Sequence, residues 1–126
     1  MLGRLFRNRR RDDAWQTDVI QKIAIQMLRQ VPEDWDRASL VLEVSEKGLG
    51  AGLQHSAITP DPAESSEKGF KLTDSRFVLP DFDTLAATRE LELGWLERKR
   101  TFKRAIITVR DDGDGWEIRS EYEHDT

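Results

Sequence analysis

Chemistry in this sequence has few places to reside. Cysteine is absent, which removes thiolate metal sites, iron–sulfur clusters, disulfides and a cysteine nucleophile together. The two histidines, His55 and His124, fall in a strand-like stretch and in the last residues. A general base or a metal needs convergent partners, and the neighbours of His55 supply none. The tail Glu121-Tyr122-Glu123-His124-Asp125 holds ligand-type side chains, but successive strand residues point to opposite faces, so it reads as a solvated tail. Asp112 to Gly115 resembles part of a calcium loop, with Glu123 at the twelfth position counted from Asp112. The residues between alternate as a strand, and a hairpin turn is the better reading. There is no Walker loop, no GxGxxG and no GxSxG, and the glycines of Gly48 to Gly52 suit a tight turn, a bulge or a close backbone approach. The expectation is a non-enzyme with no catalytic residues, no metal and no cofactor.

Periodicity places the elements. Ile20, Ile23, Ala24, Met27, Leu28 and Val31 form one helical stripe, with Asp12 and Asp13 at its N-terminal end and Pro32 as its stop. Ala38 to Val44 alternates as a strand, Glu46-Lys47-Gly48 turns the chain, and Leu49 to Ser56 completes a hairpin with Leu49, Ala51, Leu53 and His55 on one face. Ala57 to Gly69 reads as a loop, and Phe70 to Leu79 offers a short further strand. Pro80-Asp81-Phe82-Asp83 opens a second helix that runs to about Lys99. On its wheel Phe82, Leu85, Ala86, Leu93 and Leu96 form the expected buried stripe, with Arg89 falling inside it and Leu91 and Trp95 opposite. Ala105 to Arg110 and Trp116 to Tyr122 make a closing hairpin about Asp111 to Gly115, with Trp116, Ile118 and Tyr122 facing inward. The order α-β-β-(β)-α-β-β predicts an α+β fold, an antiparallel sheet of four or five strands with two helices.

Charge divides the chain. Of 126 residues, 20 are Lys or Arg and 24 are Asp or Glu, a net charge of -4. Residues 1–11 hold five arginines and no acid, which leaves 15 basic against 24 acidic residues in 12–126, or -9. The domain reading follows: a basic arm over 1–11, disordered or frayed, and a single α+β domain over 12–126. The arm could meet phosphates or anionic lipid heads, but an acidic body repels the same polyanions, and solubility is its simpler role. Direct nucleic-acid binding is therefore not expected. No apolar run is long enough to span a bilayer, and the N-terminus lacks the apolar core of a signal peptide, so the expectation is a cytoplasmic protein without membrane insertion.

The acids collect late in the chain. Asp111, Asp112, Asp114, Glu117 and Glu121 lie on the last hairpin, with Glu123 and Asp125 following, and a field of one sign there favours encounter with a basic protein. Leu91 and Trp95, opposite the core stripe, are either exposed interface anchors or packed beneath the loop or the first helix. These seven residues, Asp111, Asp112, Asp114, Glu117, Glu121, Leu91 and Trp95, form the candidate partner-binding set.

A family resemblance points the same way. Ile23 to Val44, IAIQMLRQVPEDWDRASLVLEV, joins an apolar helix ending in Val-Pro to Trp35 and a strand carrying Glu43. With Trp116 and the closing Glu121-Tyr122-Glu123, this resembles the YezG-like family of bacterial immunity proteins over about residues 16–124. The arginine arm, the loop at Ala57 to Gly69, and His55-Ser56 in place of aromatics depart from that pattern. The resemblance implies an antitoxin that binds and blocks a cognate secreted toxin, often a basic nuclease domain, with Pro32 and Trp35 as structural residues. The alternative is an acidic secretion chaperone that binds an effector segment. Such chaperones dimerise through a hydrophobic helix and strand, and the sequence leaves a homodimer open.

Overall fold

The computed structural model describes residues 5–8, 14–60 and 77–124, the first of these by backbone alone. Its elements run β1 (Leu5–Asn8), α1 (Ala14–Gln30), β2 (Arg37–Val44), β3 (Leu53–His55), α2 (Phe82–Glu97), β4 (Arg104–Asp111) and β5 (Gly115–Glu123). The expected α+β class is present: among the described residues, two helices lie on a sheet ordered β1-β5-β4-β2-β3. The four strands from β5 to β3 pair antiparallel, and β1 adds a parallel edge through Leu5 opposite Gly115 to Asn8 opposite Ile118. That edge strand lies within the stretch read from charge as a basic arm.

The two hairpins form where alternation puts them, and β4 then inserts beside β2, with Leu40 opposite Ile107 and Leu42 opposite Ala105. The first hairpin is shorter than its sequence suggests. Leu49 to Gly52 turn instead of pairing, because Gly48, Gly50 and Gly52 all have positive φ, leaving β3 three residues. Of the further strand expected over Phe70 to Leu79, Val78 makes an isolated bridge with Ile58. Phe70 to Arg76, like most of the expected loop before them and like Asp12, Asp13 and Asp125, lie outside the described residues.

Side chains on one face of the sheet, among them Leu40, Leu42, Ile107, Val109, Trp116 and Ile118, pack with Ile20, Ile23, Met27 and Leu28 of α1 into a single core. The α1 stripe is buried as its spacing predicts. On the α2 side the expected stripe is reversed. Leu91 is 0% exposed and Trp95 4%, whereas Phe82 is 80% exposed and Leu93 and Leu96 are each 44% exposed, with Leu85 and Ala86 also outward. The buried side of α2 is Thr84, Ala87, Thr88, Leu91, Glu92 and Trp95. The helices lie antiparallel: Gln30 meets Thr84, Lys22 meets Glu90 at 3.3 Å, and Trp15 fills the space over Gly94.

The reversal has a polar cause. Asp81 caps α2, its carboxylate accepting from the Thr84 amide at 2.9 Å and the Thr84 hydroxyl at 2.8 Å, which holds its pKa below the ordinary carboxylate value. The Gln30 side chain at the end of α1 then accepts from the Asp81 amide at 2.8 Å and donates to the Thr84 hydroxyl. These bonds turn the Thr84 side of the helix inward. Trp95 follows on that side, edge-on to Phe102 at 5.0 Å and tilted against Tyr122 at 4.7 Å.

Candidate protein-binding surface

Glu92 is buried and His55 half-buried, and the two lie near each other under the glycine turn. One Glu92 oxygen accepts from the Gly50 and Gly52 amides at 2.8 and 3.0 Å, and the other meets Arg89 at 2.6 Å. Arg89 also donates to the Gly50 carbonyl at 3.0 Å. Burial pushes the His55 imidazole below its ordinary value, opposed by a backbone bond at Leu53 and by the Glu92 charge. Its Nε2 stands 2.6 Å from the Thr88 hydroxyl, which itself donates to the Leu85 carbonyl at 2.8 Å. With both its oxygens engaged, Glu92 serves as a clasp holding the Gly48–Gly52 turn against α2. Among the described residues no group of three His, Asp or Glu side chains is arranged to hold a metal ion.

The calcium-like run is likewise consumed locally. Asp111 accepts from the Gly113 amide at 2.9 Å, and Asp112 accepts from the Asp114 and Gly115 amides at 3.1 and 3.0 Å, while Gly113 takes φ +97. Short Asp side chains bonded to amides two and three residues on stabilise a tight hairpin.

The seven predicted partner residues disperse on folding. Asp112 and Asp114 are exposed at the hairpin turn, with Asp111 half-buried beside them. Glu117 and Glu121 point to the face of the sheet away from the helices, where they pair with Arg110 at 3.2 Å and Arg119 at 3.7 Å. Paired charges contribute little to a long-range field. Leu91 and Trp95 are core residues, so neither is available as an anchor.

Two other surfaces take their place. At the hairpin turn two connections meet, the Asp111 amide donating to the Asp36 carbonyl at 2.8 Å, and the α2 cap at Asp81 is tied to the end of α1 that leads into them. Exposed Glu33, Asp34, Asp36, Asp81, Asp83, Asp112 and Asp114 thus come to one end of the molecule. Between the α1–β2 connection and the closing hairpin lies a groove of about 350 Å³ lined by Leu28, Val31, Pro32, Trp35 and Trp116, with Glu33 and Asp111 also in its lining. The second surface is the outward side of α2 and its lead-in, where Leu79, Phe82, Leu85, Leu93 and Leu96 are, among the described residues, the large apolar side chains left exposed. Sequence reasoning missed this surface because it assigned the same helical residues to the core.

No protein-family model matches this sequence, and no curated protein is significantly similar to it. Among the described residues no helix is long and apolar enough to cross a membrane.

Proposed function

We propose that this protein is a non-enzymatic inhibitor of the immunity type, acting in the cytoplasm, that binds and blocks a cognate basic toxin, a nuclease domain by preference. The observation that carries this reading is the acidic end. Carboxylates from the α1–β2 and β4–β5 connections, far apart in sequence, meet at a groove lined by Trp35 and Trp116, with Glu33 and Asp111 beside them. A surface that holds nucleic acid is positive, so an acidic inhibitor both steers toward it and competes with phosphate for it. Aromatic groups beside carboxylates also suit an arginine or lysine side chain from the partner.

Co-expression with the toxin encoded beside it tests the reading: the protein should restore growth and form a salt-sensitive one-to-one complex. Survival no better than with an empty vector would sink it. A second reading, an acidic secretion chaperone, draws support from the exposed apolar side of α2, since a chaperone needs such a surface for its effector segment. A complex with an unfolded effector segment, in place of a folded toxin, would favour that reading.

A further inference from the structure

The outward side of α2 has an internal order that specifies what could cover it. Phe82, Leu85, Leu93 and Leu96 occupy a single stripe, continued at its N-terminal end by Leu79, which is 68% exposed. Beside it, Asp83, Glu90 and Glu97 recur every seven residues, so they stand in one row along the helix. All three are exposed. Among the described residues their compensation is partial: Lys22 approaches Glu90 at 3.3 Å, and Arg98 approaches Glu97 at 4.0 Å.

This pairing of an apolar stripe with an acidic border discriminates between occupants. A second copy must bind through a two-fold axis, which matches the surface with itself. Antiparallel pairing of two α2 helices about Glu90 sets Asp83 of one copy near Glu97 of the other, and the two Glu90 side chains near each other. Like charges at such positions oppose association. An amphipathic element with an apolar ridge and a basic border meets both features favourably.

We infer that the outward side of α2 is a docking face for a partner helix or strand whose apolar ridge is bordered by Lys or Arg. This rests on the protein-binding reading above, but not on the identity of the toxin. The apolar stripe would supply the desolvated centre of the contact and the acid row its register, in the usual arrangement of an apolar core within a polar rim. The acidic end adjoins the N-terminus of α2, so the two surfaces can engage neighbouring parts of one basic partner.

The test uses the full chain and two synthetic helical peptides with the same leucine face, one flanked by lysine and the other by glutamate. Binding is measured by fluorescence anisotropy at physiological salt. The lysine peptide should bind at least about tenfold tighter than the glutamate peptide. Phe82→Ser with Leu93→Ser should weaken it at least about tenfold while the unfolding midpoint is unchanged, each truncated anchor having the effect of an interface hot spot. Asp112→Asn with Asp114→Asn should leave it within about twofold, since these lie at the other surface.

Equal affinity for the two peptides, or loss of binding with the hairpin variant in place of the α2 variant, would overturn the assignment. So would a dimer of the purified protein in sedimentation that dissociates on Leu93→Ser, since a second copy would then own the face. Toxin protection is scored separately. Its failure alongside lysine-selective peptide binding would remove the antitoxin reading and leave the docking face standing.

Discussion

The two helices pack beside each other on the same sheet face, yet they use their apolar residues in opposite ways. α1 buries Ile20, Ile23, Ala24, Met27 and Leu28, nearly every large apolar group it has on one side. α2 buries Leu91 and Trp95 among Thr84, Thr88 and Glu92, and turns Phe82, Leu85, Leu93 and Leu96 to solvent. The difference lies in competition. The apolar residues of α1 agree on one direction, whereas those of α2 occupy both sides of the helix, and polar partners from elsewhere in the chain decide between them. A helix that directs polar groups inward and apolar groups outward has its outward face under a different demand from folding.

The contrast should break first at Leu91. Leu91→Ala empties a fully buried site and should cost about 2–5 kcal/mol in chemical denaturation. A cost below about 0.5 kcal/mol would show that the helix had been turned the wrong way round. Next is the clasp. Glu92→Gln removes the charge that Arg89 and two glycine amides share, and should cost about 1.5–3 kcal/mol, with faster amide exchange at Gly50 and Gly52. Unchanged exchange there would separate the carboxylate from the order of the turn.

A smaller effect is expected from His55. Burial lowers its folded pKa below the ordinary 6.5, so the folded protein binds fewer protons than the unfolded chain. The stability it contributes is complete above about pH 6.5 and declines as pH falls from there through the folded pKa. His55→Gln keeps a hydrogen-bonding group beside Thr88 and should flatten that slope in denaturation measured across this window. The smallest effect belongs to the outward face. Phe82→Ser and Leu93→Ser should each change stability by about 0.5 kcal/mol or less, and a larger loss at either would show that the face already packs against this chain.

Much of the framework was legible because local period and core demand coincide. Ala105, Ile107 and Val109 alternate with groups that tolerate water, and Asp111 to Gly115 carries the amide-bonding aspartates and the glycine that a tight turn needs, so the closing hairpin follows from its own residues. Leu49 to Ser56 was less legible. Its apolar alternation suggests a strand, but three positive-φ glycines and the Glu92 clasp, some forty residues away, hold half of it in a turn. The candidate surface was least legible: Glu117 and Glu121 lose their freedom to arginines opposite them or nearby in the sheet, and Leu91 and Trp95 lose theirs to the core.

The amino-acid sequence by itself determined the α+β class, the α1 stripe, the two hairpins and an acidic body, since each follows from residue type and spacing within a short window. Tertiary structure alone decided which side of α2 faces inward, which carboxylates remain exposed, and that three connections bring their acids to one end. Those outcomes depend on hydrogen bonds and ion pairs between residues distant in the chain, such as Gln30 with Asp81 and Glu92 with Gly50. A helical wheel counts apolar groups but does not contain the partners that offset the cost of burying polar ones.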